Sequence, residues 1–182
     1  MHTPTPKIIH LAILTLASAM GGTAMAGSPW TPVESGFRIG IDDEEDVDLT
    51  GAEIFAAWNT PYAWRPTETS TVSLRVETDA GVLAGDDETG AVFRAGPALA
   101  ADFDALPLDV SLASAPTFLT EDEYGDAFDL GGNFHLTSSV TATYAIDAHW
   151  SVGYRFQHTS NAGLEDENPG LNMHFLSIRF AY

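Results

Sequence analysis

Two stretches decide the fold: Trp150-Ser151-Val152-Gly153-Tyr154-Arg155-Phe156-Gln157, and the closing Leu176-Ser177-Ile178-Arg179-Phe180-Ala181-Tyr182. In both, bulky apolar side chains alternate with small or charged ones. A period of two sends successive side chains to opposite faces of an extended chain, so each stretch is a strand with one apolar and one polar face. The polar faces carry Arg155 and Arg179 among serine, glycine and glutamine. A soluble sandwich turns its apolar faces inward and wets the polar ones. A small membrane barrel does the reverse, with an apolar wall against lipid and a polar lumen.

Outward from these two strands, the same alternation predicts six more. Their apolar sets are Phe37, Ile39 and Ile41; Ile54, Ala56 and Trp58; Val72, Leu74 and Val76; Phe93 and Ala95; Leu108, Val110 and Leu112; and Phe134, Leu136, Val140, Ala142 and Tyr144. The opposite faces hold Arg38, Arg75 and Arg94 with Glu53, Glu77 and Asp109, where arginine and carboxylate can pair. The expected fold is all-β, an eight-stranded antiparallel transmembrane β-barrel. Closure is required because lipid cannot satisfy a free sheet edge. Trp150, Tyr144 and Tyr182 suit the interfacial girdles. The terminal Tyr182, in phase with Phe180 and Ile178, resembles the C-terminal signature of bacterial outer-membrane barrels. A soluble eight-stranded barrel of lipocalin type is the alternative with the same strand count.

Composition narrows the function. The chain has 182 residues with 26 acidic side chains against 7 basic ones, a net charge of −19, and no cysteine. The length suits one domain. The charge argues against nucleic acid as a partner, because that requires a basic face. The missing cysteine excludes disulfides and thiolate chemistry. Residues 1–26 read as a secretory signal peptide, with Lys7, an apolar Ile8–Ala17 core and an Ala24-Met25-Ala26 cleavage site, leaving 27–182 as the barrel. Sixteen of the 26 acids fall in four clusters, Asp42–Asp48, Asp86–Glu88, Glu121–Asp126 and Glu165–Glu167, each about a hairpin from the next. With the N-terminus periplasmic, all four lie on extracellular loops. They read as solvated loop tips, which could hold divalent cations or reflect adaptation to high salt.

The segment after Gln157 carries the chemistry. His158 and Ser160 lie two apart and share the parity of Tyr154 and Phe156, the lipid-facing set. A histidine there is costly and needs a reason. Asn172, in phase with Leu176, can be brought beside them by the hairpin. A hydroxyl, an imidazole and a group that orients the imidazole make a nucleophile constellation. Ser160 would attack an ester carbonyl, His158 would move its proton, and Asn172 would accept from the other ring N–H. The oxyanion could be met by amides around Ala162 and Gly163, or by Asn161 and Asn168. His135 and His149 fall on inward faces, and His174 lies outward two residues from Asn172. No metal site is expected, because clustered ligands are missing.

The string His158-Thr159-Ser160-Asn161-Ala162-Gly163-Leu164, followed by Asn168-Pro169-Gly170, resembles the PagL family of lipid A 3-O-deacylases. The likeness runs upstream through Tyr154-Arg155-Phe156-Gln157 and downstream into the last strand. It implies an outer-membrane barrel of eight strands, with a His-Ser-acid triad on its outer wall facing the outer leaflet. It also implies hydrolysis, without a cofactor, of the ester at position 3 of lipid A. By position, the family's histidine falls on His158, its serine on Ser160, its loop asparagines on Asn161 and Asn168, and its acid on Asn172. The last is a departure. Either Asn172 orients the ring as an amide, or Glu165 or Glu167 substitutes from the loop, or activity is reduced; the face and fixed strand position of Asn172 favour the first. The partners implied are lipid A or lipopolysaccharide as substrate, the outer-membrane lipids and, left open, a second copy in a homodimer. The competing reading is a non-enzymatic barrel, structural or adhesive, with a degenerate site.

Overall fold

The computed structural model describes residues 24–26, 30–43, 48–85, 87–125, 128–165 and 168–182. Eight long strands follow in order: β1 (Pro32–Asp42), β2 (Thr50–Thr67), β3 (Ser70–Gly85), β4 (Glu88–Phe103), β5 (Leu108–Leu119), β6 (Phe134–Ala145), β7 (Trp150–Ser160) and β8 (Leu171–Ala181). Each pairs antiparallel with the next, and β8 pairs back onto β1 through Met173↔Asp42 to Ala181↔Glu34. The sheet is therefore a closed barrel with no free edge, as the alternation predicts. Most of the expected leader lies outside the described residues. Its last three, Ala24–Ala26, form a short strand against Tyr62–Trp64. Glu44, Glu45, Asp46, Asp86, Asp126, Asp166 and Glu167 of the acidic clusters also lie outside them. The described acids of all four clusters sit at one end of the barrel, opposite the strand termini at Pro32 and Ala181.

The two faces are inverted relative to a soluble protein. Ile54 is 63 % exposed and Leu176 67 %, while Arg38 and Arg179 are each 2 % exposed. Fully burying a charge costs several kcal/mol unless it is paired. Here Arg38, Arg94 and Arg155 meet Glu53, Glu77 and Asp79 in one layer, three charges of each sign. Arg38 Nε donates to Glu53 Oε2 at 2.6 Å, and its guanidinium lies 4.9 Å from the Phe55 ring. Arg94 and Asp79 add a 3.4 Å contact, and Arg155 binds Glu77. Nearer the termini, Arg179 pairs with Glu34 at 3.0 Å and donates to Thr143 Oγ1 at 2.6 Å. Asp79 extends the inward set beyond the expected third strand. That strand continues to Gly85 through small residues that blur the alternation.

The lumen is not polar throughout, which corrects the sequence expectation. At the loop end the inward positions are Leu83, Val92, Leu119, Leu171, Met173 and Phe175, closed over by Leu49, Tyr124, Phe128 and Leu130. The last three come from the β5–β6 loop, which folds into a small hairpin, Glu123–Tyr124 against Phe128–Asp129, and plugs the mouth. Phe175 fills the lumen because Gly40 and Gly51 leave room. A Cβ on Gly40 would stand 2.6 Å from Phe175 Cδ1, and one on Gly51 2.9 Å from its Cζ.

The other end is ringed by aromatics. Trp150 meets Phe180 edge-on with centroids 5.1 Å apart, and Phe180 meets Tyr182 at 5.7 Å. His149 is not inward. It lies in the exposed turn between β6 and β7, stacked on Phe180 with Nδ1 3.1 Å from Ala181 O. In the same turn Asp147 Oδ1 accepts from the N–H groups of His149 and Trp150, each at 2.8 Å, which holds its carboxyl below the usual range.

Candidate active site

β7 continues its outward parity from Phe156 to His158 and Ser160, while Gln157 and Thr159 point into the barrel. The inward side is pinned by hydroxyls: Thr159 bonds Thr137 at 2.8 Å, and Thr137 bonds Thr117 at 2.7 Å. That ladder holds the strand end flat, so His158 and Ser160 stay on the wall.

The register sets Asn172 of β8 directly opposite His158, and Ser138 of β6 opposite it on the other side. His158 Nδ1 and Asn172 Oδ1 are 2.8 Å apart. An amide oxygen only accepts, so Nδ1 carries the proton and Nε2 presents its lone pair. Nε2 is buried and has no hydrogen-bond partner among the described residues. Glu165, the loop alternative to Asn172, lies instead over the β5–β6 loop, with its Cγ 3.5 Å from where a Gly132 Cβ would stand. Glu167 is outside the described residues. Ser160 is 4 % exposed, sunk in the wall two positions after His158.

The loop after Ser160 is built around Asn161, which is fully buried at 0 % exposure. Its N–H donates to Asn168 Oδ1 at 3.2 Å, and its Oδ1 accepts from Gly163 N–H at 2.9 Å. Its Nδ2 donates to the carbonyls of Leu130 and Gly131 at 3.4 and 3.2 Å. Of the predicted oxyanion groups, then, the Asn161 side chain and the Gly163 amide are engaged in holding the loop. The exposed Ala162 turns the chain with φ 58°, followed by Gly163 at φ 80°. Asn168 is tied to the end of β7 through Asn161.

Gly170 is a site residue that the motif reading does not single out. Its φ is +77°, and a Cβ there would stand 2.8 Å from His158 Cε1 and 3.5 Å from Nε2. The imidazole therefore rests on a glycine backbone that any side chain would displace. The Pro169-Gly170 pair signals a turn, but its contact with His158 follows only from the pairing of β7 with β8. The β5–β6 plug is the other unforeseen contributor, because Leu130 anchors in the lumen and its carbonyl holds Asn161. One step from Asn172, His174 Nδ1 meets Tyr154 OH at 2.6 Å and Nε2 meets Asp43 Oδ2 at 3.4 Å.

A family model described as lipid A 3-O-deacylase (PagL) matches residues 52–181. The crystal structure of the outer membrane enzyme PagL aligns with a TM-score of 0.69 at 19 % identity, covering 80 % of this chain and 97 % of that one. A structure from the de novo design of transmembrane β-barrels aligns with a TM-score of 0.50 at 10 % identity, covering 87 % of this chain and all of the other. At such identities the structural likeness speaks for the fold. No curated protein sequence matches the chain. The family match carries the assignment, since it spans all strands but the first: the chain belongs to the PagL family of lipid A 3-O-deacylases.

Proposed function

We propose that the protein is an outer-membrane serine ester hydrolase that removes the 3-hydroxyacyl chain ester-linked at position 3 of lipid A. The observation that carries this reading is the outward-facing His158, two residues before Ser160 on the same face, with its Nδ1–H donated to Asn172 and its Nε2 without a partner among the described residues. A half-buried imidazole with one nitrogen committed and the other bare is poised to take a proton. Its place on the outward wall is where a membrane lipid would meet it.

In this mechanism Ser160 Oγ attacks the ester carbonyl as His158 Nε2 takes the hydroxyl proton. Asn172 holds the ring throughout, and the amide dipole offsets only part of the imidazolium charge. The oxyanion is met by the Ala162 and Gly163 amides and the Asn168 side chain. The Gly163 N–H turns from Asn161 Oδ1 to the oxyanion when substrate binds. Collapse of the tetrahedral intermediate breaks the bond to the sugar oxygen, which leaves as an alcohol with the proton from His158. Water, deprotonated by His158, then cleaves the acyl-enzyme to release a 3-hydroxy fatty acid and restore Ser160. The acidic loop end faces outward and the aromatic ring around Trp150 and Tyr182 faces the periplasm, with lipid A reached laterally from the outer leaflet.

The replacement of the family's acid by Asn172 is the one observation favouring the rival, a non-enzymatic barrel. Lipid A mass spectra from cells expressing wild type and Ser160→Ala separate the two. Loss of one 3-hydroxyacyl chain in the wild type alone supports the enzyme, with the variant slowed at least about a thousandfold. Identical spectra from two folded proteins sink it.

A further inference from the structure

The outward wall of β5 and β6 is apolar except in line with His158. The outward residues of β5 are Leu108, Val110, Leu112, Ser114, Pro116 and Phe118; those of β6 are Phe134, Leu136, Ser138, Val140, Ala142 and Tyr144. The register sets Ser114, Ser138, His158 and Asn172 in one row across four strands. Immediately to one side in the wall lie Val140 and Leu112; beyond Leu136 and Pro116 on the other lie Phe134 and Phe118, whose rings are 5.1 Å apart. A hydroxyl in an apolar wall has a desolvation cost that an alanine at the same position would avoid. Ser138 is 6 % exposed and Ser160 is 4 %, so both residues are buried in the wall.

We propose that Ser138 hydrogen-bonds the 3-hydroxyl of the scissile acyl chain and makes the site selective for 3-hydroxyacyl esters over plain acyl esters. This rests on the deacylase reading above and adds to it a residue that touches the substrate. Ser138 stands directly opposite His158, with Cβ atoms about 5 Å apart in such pairs, and diagonal to Ser160 at about 7–8 Å. An ester carbon poised for attack lies about 3 Å from the serine oxygen. The hydroxyl oxygen on the third carbon is three bonds from that ester carbon, which bridges the remaining gap toward β6. A serine hydroxyl has one donor and two acceptor sites, so it can serve a protein partner and the substrate together. Asn172 holds His158 from the β8 side, which leaves the β6 side for the acyl chain.

The test uses the full barrel in detergent micelles and two synthetic glucosamine 3-O-esters, 3-hydroxydecanoyl and decanoyl. Wild type should cleave the hydroxylated ester about tenfold faster in kcat/KM, the net worth of one hydrogen bond between neutral groups. Ser138→Ala should bring that ratio close to one by slowing the hydroxylated ester, and Ser138→Thr should restore much of it. Ser138→Cys, close in size but a weak hydrogen bonder, should behave as alanine does and guards against a folding defect in the first variant. An unchanged ratio in Ser138→Ala or Ser138→Cys overturns the assignment, as does a wild type without preference. A wild type that cleaves neither ester overturns the deacylase reading itself, and the recognition with it.

Discussion

The lumen and the outward wall both bury polar side chains, and they use them in opposite ways. In the mid-lumen layer three arginines face three carboxylates, and Arg38 alone engages Glu53, Glu77 and Asp79. The charge is spent within the layer. On the wall, His158 gives one nitrogen to Asn172 and keeps the other bare. A balanced buried network fixes a structure, whereas an imidazole that is half satisfied can still move a proton. The comparison separates the polar groups that hold the barrel from those the proposed reaction would use.

The comparison breaks if stability and activity fail to part company. The largest expected effect is on the wall. His158→Ala should slow lipid A deacylation at least about a thousandfold, followed by mass spectrometry of released fatty acid, with the denaturation midpoint unmoved. In the lumen, Arg38→Met should do the converse. It leaves carboxylates buried with too few partners, a loss of about 3–5 kcal/mol read from denaturant unfolding in micelles. Activity per folded molecule should stay within about twofold. A folded Arg38→Met barrel that has lost its activity would show that the layer and the site are not separate.

Smaller effects sharpen how the wall residues divide the work. Asn172→Ala should lower kcat by about 10- to 100-fold, since the ring loses the acceptor that sets its tautomer. Asn172→Glu should match or exceed wild type, because a carboxylate also stabilises the imidazolium. Full rates in both variants would mean that Asn172 does not orient His158. Gly170→Ala should cost about tenfold in kcat with KM little changed, because the added methyl pushes on His158 Cε1 and strains a residue at φ +77°. A KM effect alone would place Gly170 in substrate binding instead.

Much of the site was legible in the sequence. Parity alone put His158, Ser160 and Asn172 on the outward face, and β7–β8 pairing then set His158 opposite Asn172. The two-residue period is a local property, carried by steric alternation along one strand, and needs no tertiary information. Strand extents were less legible. The fourth strand shows only Phe93 and Ala95 in alternation, yet β4 runs from Glu88 to Phe103, because alanine and glycine fit either face. The third strand hid Asp79 for the same reason.

By itself, then, the sequence determined the barrel, its inside-out polarity, the end that carries the acidic loops and the outward face of His158 and Ser160. All of these follow from period, charge and order along one chain. Only the tertiary structure decided the rest. It balanced the ionic layer, plugged the mouth with Tyr124, Phe128 and Leu130, seated Asn161 on the β5–β6 loop, and laid Gly170 under His158. Those contacts join residues on different strands and loops, and their distances are set only when the strands pair and the barrel closes.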